Sequence, residues 1–231
     1  MILDLNSDLG EGCGSDAELM ALVTSANICC GFHAGDLSSA HVALRLAAKH
    51  GVQVGGHPGY PDREHFGRRE HRLREEAILE LCLYQVGALI GLAKSDGVTI
   101  RYFKPHGALY NQAFHDDTVA RPIAKAGEIL QMPVMGQPGS RLEAFCQAGA
   151  GFIAEGFADR RYRADGTLVP RTEPDAFVHD VEQAVTQANW LLRDRGIRSL
   201  CVHGDNPQAL DFVRALREAF TLRGITLRAF A

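Results

Sequence analysis

The groups in this chain that could do chemistry come in short glycine-flanked clusters, each at the end of an apolar run. The first is Asp4-Leu5-Asn6-Ser7-Asp8-Leu9-Gly10-Glu11-Gly12. Asp4, Asn6 and Asp8 alternate, so in a strand they share one face. Polar groups facing a barrel interior cost stability unless partnered, so this face implies a ligand, a metal or a polar network. A turn capped by Asx side chains is the structural alternative. Asn27 precedes Gly31-Phe32-His33-Ala34-Gly35-Asp36, where glycines let the backbone approach a ligand around His33. His57 follows Gly55-Gly56 directly, and Phe66-Gly67-Arg68-Arg69 lies just beyond. Paired arginines suit a carboxylate or phosphate through bidentate hydrogen bonds, and a solvated basic loop would look the same.

The densest set is Lys104-Pro105-His106-Gly107-Ala108-Leu109-Tyr110-Asn111. Lysine, histidine, tyrosine and asparagine there could position a substrate, move a proton and hold an oxyanion. Glu155, Asp159 and Arg160 follow another apolar run, with a salt-bridged loop as the plain alternative. His203 and Asp205 close the series as a candidate oriented base. The chain has no G-x-S-x-G elbow, no H-E-x-x-H helix and no G-x-x-x-x-G-K-[ST] phosphate loop. Gly10, Gly12 and Gly14 fall short of a dinucleotide fingerprint because Ser15 takes the third glycine's place.

These clusters need a scaffold that gathers strand ends. Strand-like runs at 2–6, 26–30, 52–56, 100–103, 152–154 and 200–202 alternate with helical patterns at 37–50, 73–95, 116–130, 141–148, 175–195 and 207–222. Such alternation predicts parallel strands joined by crossover helices. Chemistry after nearly every strand favours an irregular TIM-like (β/α) barrel of about seven or eight strands over an open sheet. Residues 1–231 read as one such domain, because no composition shift or linker interrupts them. The polar stretches 60–74 and 156–173 read as active-site loops. Pro122 is expected in the first turn of its helix.

Net charge is −4 and basic residues are dispersed, which argues against a nucleic-acid partner. No apolar stretch reads as a membrane span, and the acidic N-terminus is unlike a signal peptide. The six cysteines form no C-x-x-C pair, so a cytoplasmic protein without disulfides is expected. A homo-oligomer is compatible with this composition.

The segments DLNSDLGEG (4–12), SANICCGFHAGD (25–36), GGHPGYPD (55–62), FGRR (66–69), YQVGAL (84–89), FKPHGALYN (103–111), EGFADRRY (155–162), LVPR (168–171) and CVHGDNPQA (201–209) together closely resemble the LamB/YcsF family. The resemblance implies an irregular barrel related to carbohydrate deacetylases. It also implies ATP-dependent 5-oxoprolinase activity: opening of the lactam 5-oxoproline (pyroglutamate) to L-glutamate, with partner subunits B and C. Ser7, Cys13, Cys29, Gly56 and Gly156 depart mildly from the family pattern, and Ser7 rules out a cysteine nucleophile at that position.

An unstrained lactam resists hydrolysis, so ATP as co-substrate is chemically sensible. With no nucleotide-binding loop here, the partners are expected to phosphorylate the lactam, and this chain to bind the activated ring and direct water. Asp8, Glu11 or a histidine would be the base, and Lys104, Arg68 and Arg69 would hold anionic groups. His106 or His203 would protonate the leaving nitrogen, with His57 beside them. Asn6, Asn27, His33, Tyr110, Asn111, Glu155, Asp159, Arg160 and Asp205 complete the candidate substrate-binding set. A competing reading is a metal-dependent amidohydrolase or deacetylase acting alone, with Asp8, His33 and His57 holding a divalent ion beside an open water position. A third, non-catalytic reading makes the chain a binding or scaffolding subunit.

Overall fold

A computed structural model describes residues 1–147, 149, 151–203 and 209–230. Its strands are β1 (Ile2–Leu9), β2 (Ser25–Cys29), β3 (Gln53–His57), β4 (Ile100–Phe103), β5 (Val134–Gly136), β6 (Phe152–Phe157), β7 (Ser199–Cys201) and β8 (Thr226–Leu227). The helices are α1 (Asp16–Met20), α2 (Leu37–His50), α3 (Glu75–Ser95), α4 (Gly107–His115), α5 (Asp117–Leu130), α6 (Arg141–Cys146), α7 (Val181–Asp194) and α8 (Ala209–Leu222). All strand pairs are parallel, and β1 pairs with both β2 and β7, so β1 to β7 close into a barrel. Strand β8 pairs only with the start of β1, Ile2 and Leu3, below the reach of β2. This is the α/β barrel expected from the alternation.

Alternation along the strands decides which side chains face which layer. Leu3, Leu5 and Leu9 of β1 pack outward into the main core with the helices. Between them Asp4, Asn6 and Asp8 face inward, buried, and meet polar groups from other strands. The barrel bottom is closed by Tyr102, Met135 and Ile153, with Phe230 packed against them. Gly55 makes room for Tyr102: a Cβ there would sit 2.3 Å from the Tyr102 ring. At Gly156 a Cβ would lie 2.8 Å from Leu191, so an alanine requires that leucine to shift.

Several boundaries differ from the sequence expectation. α7 starts at Val181 rather than 175, because Asp180 caps it by accepting from the Gln183 N–H. α5 starts at Asp117, capped by Asp116, so Pro122 falls inside the helix rather than in its first turn. α6 ends at Cys146, two residues short of 148, which lies outside the described residues, and α8 is described from Ala209. Strands β5 and β8 and helices α1 and α4 went unassigned because they are short or carry site chemistry that masks their periodicity.

α3 corrects another expectation. It is 21 residues long, and an 18-residue window within it has mean hydropathy 1.5, which makes it long and apolar enough to cross a membrane. In the barrel it packs against α5, and buried Gln85 anchors it. Gln85 donates to the Gly59 carbonyl at 2.9 Å and accepts from the Gly59 N–H at 3.0 Å, clamping the loop after β3. All six cysteines are free thiols.

Two stability predictions rest on this packing. Gln85→Leu leaves both Gly59 backbone groups unpaired and lowers stability by roughly 1–3 kcal/mol, read as a fall in urea midpoint. Asp4 is raised from 3.8 to about 6, chiefly by burial, against hydrogen bonds from Ser199, Thr24 and Ser25. A carboxyl raised in the folded state contributes stability present below its unfolded pKa and lost as pH rises through its folded pKa. Between pH 4 and 6 the native chain should therefore lose roughly 2–3 kcal/mol relative to Asp4→Asn, which mimics the protonated acid. Parallel urea curves for the two proteins across that range would refute this.

Candidate active site

The inward faces of the strands build a column of polar contacts that ends at the C-terminal mouth. At its base Asp4 accepts from Thr24 at 2.6 Å, Ser25 at 2.7 Å and also from Ser199. One layer up, the Asn6 amide donates to Glu155 at 3.0 Å and to Ser199 at 2.7 Å. The Asn27 amide donates to Asn6 and Asp8, both at 2.8 Å. Above them Lys104 Nζ lies 3.0 Å from Asp8 Oδ1, 2.8 Å from Glu155 Oε1 and 3.3 Å from Cys201 Sγ. Tyr110 donates to the other Glu155 oxygen at 2.9 Å. Burial alone would favour neutral lysine, but Asp8, Cys201 and Glu155 around it raise Lys104 well above its ordinary pKa. Burial likewise opposes charge on Asp8, and His57 and Lys104 overcome it, holding the carboxyl well below the usual range.

Beside this column stands a histidine cluster around Glu11. Glu11 Oε1 lies 3.0 Å from His33 Nε2, 3.4 Å from His106 Nδ1 and 3.8 Å from His57 Nε2. His57 Nε2 and His106 Nδ1 are 2.9 Å apart. The far nitrogens of those two rings face backbone carbonyls, His57 Nδ1 that of Lys104 and His106 Nε2 that of Phe66, each at 2.8 Å. His33 stacks flat on His106, centroids 3.7 Å apart. Burial lowers the pKa of His33 and, with His33 and His57 nearby, lowers His106 well below its ordinary value. Burial also works against charge on His57, but Asp8 beside it raises the pKa.

Glycines make the stack possible. A Cβ at Gly59 would sit 2.5 Å from His33 Nδ1, and one at Gly67 2.7 Å from His33 Cβ and 2.9 Å from His106 Cδ2. Gly67 is also held at φ 66°, a backbone region only glycine enters cheaply. The loop after Tyr60 thus folds its backbone directly onto the rings, and Phe66 packs edge-on against both His33 and His106.

These groups border a cavity of about 630 Å³ at the barrel mouth. Asp8, Glu11, His57, Lys104, His106 and His203 all line it. His203 Nδ1 lies 3.0 Å from Asp159 Oδ2, and its ring stacks on Phe157. Asp159 is pulled below its ordinary pKa by His203 despite its burial. The orienting carboxylate of His203 is therefore Asp159, 44 residues away in sequence. Asp205, the neighbour considered for that role, lies outside the described residues.

The expected substrate-binding residues divide into groups. Arg68, Tyr110, Asn111 and Arg160 line the cavity. Asn6, Asn27 and Glu155 sit deeper, where they hold Asp8 and Lys104, and His33 is buried behind Glu11. Arg69 is not brought to the cavity: its side chain pairs with Asp62 at 2.9 Å on the outside of the loop. Of the candidate metal set, His33 and His57 stand with Glu11 and His106, all four ligand atoms within 4.8 Å of one another, and Asp8, paired with Lys104, also lies 3.3 Å from His57 Nε2 through Oδ2.

Two contributors were not singled out from the sequence. Arg163 joins Arg171 in bringing positive charge from the 156–173 loop, and Phe157 supplies the ring against which Lys104 and His203 pack. The arginine-rich composition of that loop and the continued alternation Ile153, Glu155, Phe157 were the signals for them.

Fold and site together define an α/β-barrel enzyme with acid–base groups at its strand C-termini. The LamB/YcsF family model matches residues 3–231, and the chain belongs to that family. It is 47% identical to the A subunit of 5-oxoprolinase from Neisseria meningitidis serogroup C, over 98% of this chain and 99% of that one. The crystal structure of a lactam utilization protein from Thermus thermophilus superposes over all of both chains with TM-score 0.90 and 38% identity. The catalytic domain of a peptidoglycan N-acetylglucosamine deacetylase from Eubacterium rectale shares the fold, with TM-score 0.54 and 10% identity, over 100% of this chain and 88% of that one.

Removing the central ammonium should expose how much rests on it. Lys104→Met leaves Asp8 and Glu155 buried without their counter-ion and should cost roughly 3–5 kcal/mol. Adding Asp8→Asn to that variant should recover part of the loss in urea denaturation. A single variant as stable as the native chain would contradict this charge balance.

Proposed function

We propose that this chain, acting as one barrel domain over residues 1–231, is the A subunit of a 5-oxoprolinase, a hydrolase of cyclic amides. Its part is to bind the lactam ring and direct water at the ring carbonyl carbon. The observation that carries this is the cavity of about 630 Å³ in which an imidazole oriented by a carboxylate, His203 on Asp159, faces the Asp8–Lys104 pair. The full-length similarity to the A subunit of the Neisseria 5-oxoprolinase supports the choice of substrate. An A subunit implies a multisubunit enzyme, and we assign phosphorylation of the lactam oxygen by ATP to partner subunits B and C.

Phosphorylation makes the ring carbon electrophilic. With its Nδ1 hydrogen given to Asp159, His203 presents Nε2 as the base that takes a proton from the attacking water. The same proton then passes to the ring nitrogen as the C–N bond breaks, leaving an acyl phosphate that a second water hydrolyses to L-glutamate and inorganic phosphate. Lys104, committed to Asp8 and Glu155, fixes those carboxylates and places positive charge beneath the site. Arg68, Arg160 and Arg171 line the outer cavity, where guanidinium groups suit the substrate carboxylate and the phosphoryl group. Arg160 is held at a lowered pKa of about 10 by burial and by Arg171, so an anion placed there relieves like-charge repulsion.

The convergence of Glu11, His33, His57 and His106 favours a second reading, amide hydrolysis by this chain alone with a bound divalent ion. Glutamate release from 5-oxoproline plus ATP separates the two, measured with the chain alone and with subunits B and C. Release is expected only in the full mixture. There, His203→Asn should lower turnover about 10²–10⁴-fold and Asp159→Asn by a smaller factor, with little change in KM. Release from the chain alone without ATP would favour the second reading, and native turnover in His203→Asn would remove His203 from the reaction.

A further inference from the structure

The histidine cluster poses a problem of hydrogens. A backbone carbonyl only accepts, so the ring nitrogens facing the Lys104 and Phe66 carbonyls carry the N–H, namely His57 Nδ1 and His106 Nε2. In the neutral rings, His57 Nε2 and His106 Nδ1 are then both bare acceptors, and they point at each other across 2.9 Å. Glu11 Oε1, a third acceptor, completes the triangle at 3.4 and 3.8 Å. Three lone-pair donors aimed at one point repel unless something positive lies between them.

Asp8 Oδ2 lies 3.3 Å from His57 Nε2 as well, so a further acceptor borders the same gap.

We infer that Glu11, His57 and His106 bind one divalent transition-metal ion of the zinc type, with a fourth position open to the cavity. Ligands about 2.1 Å from a tetrahedral ion stand about 3.4 Å apart, and the three edges here, 2.9, 3.4 and 3.8 Å, bracket that spacing. Imidazoles that ligate a metal usually donate their other N–H to a carbonyl or carboxylate, as both of these do. His33 donates to Glu11 at 3.0 Å and stacks on His106, so it is a positioning residue for two of the ligands. All three ligands line the cavity, so a bound ion would polarise water or a carbonyl oxygen there. The inference concerns ion binding by the chain itself and stands whether or not 5-oxoproline is the substrate.

The rival occupant of the gap is a proton shared by His57 and His106. Full-length chain, stripped with chelator and gel-filtered, is titrated with Zn²⁺ by calorimetry and with Co²⁺ by visible absorption. The expected result is one equivalent per chain and a tetrahedral-type cobalt spectrum. His57→Gln and His106→Gln should each weaken binding by about 100-fold or more. Cys201→Ser, which removes a member of the neighbouring Asp8–Cys201–His203 group, should bind as the native chain does. X-ray absorption of the native zinc form, which needs no variant, should show only nitrogen and oxygen neighbours. No stoichiometric binding by the native chain would overturn the inference in favour of the shared proton. Unchanged affinity in both histidine variants, or a sulfur neighbour, would move the ion elsewhere and overturn it as well.

Discussion

Lys104 sits inside a parallel barrel, 2% exposed, with two carboxylates within 3.0 Å of its ammonium. Such a charge is tolerable only because its partners are fixed in place; desolvation would otherwise cost several kcal/mol. Asn27 holds Asp8, Asn6 and Tyr110 hold Glu155, and the Ser199 hydroxyl joins Asn6 to Asp4. These groups come from β1, β2, β6 and β7 and from the helix after β4, so the network forms only when the barrel has closed in one register. A slip of one residue in β1 would turn Asp4, Asn6 and Asp8 toward the apolar helix layer and Leu3, Leu5 and Leu9 toward Lys104. Polar specificity and catalytic geometry are thus one arrangement.

The mouth obeys a different constraint, close approach. His33, His57 and His106 come from three strand ends and pack ring on ring and ring on edge. Backbone at Gly59 and Gly67 lies against them, with Gly107 pressed onto the Gly67 carbonyl. No larger residue fits between those segments without moving the rings. The loop thereby excludes water from one side of the cluster while the cavity opens on the other. An imidazole cluster half enclosed in this way binds protons and cations under different rules from one in water, because burial penalises every charged ring.

Much of this architecture was legible in the chain. The alternation of apolar runs and helical patterns marked a parallel barrel, because each crossover needs a helix. The glycines around His33, His57 and His106 marked points of close approach. The residues that line the cavity came mostly from the strand-end clusters identified in the sequence. Arg69 was misplaced because a guanidinium on a loop gives no sign of direction, and Asp62 captures it outside. Asp159 was seen, but its pairing with His203 was not, since β6 and β7 become neighbours only in the sheet. The apolar length of α3 was underestimated, and its place beside the barrel rests on contacts such as Gln85 with Gly59.

By itself the sequence determined which groups are present and which face of each strand carries them, because side-chain alternation is a property of the local backbone. It also determined the family, through short segments spread over most of the chain. Tertiary structure decided the partnerships: Lys104 with Asp8 and Glu155, His203 with Asp159, Glu11 with three histidines. Those pairs join residues from 22 to 96 positions apart. No local rule connects such residues; barrel closure and strand register bring them within hydrogen-bonding distance, and burial then makes each partnership obligatory.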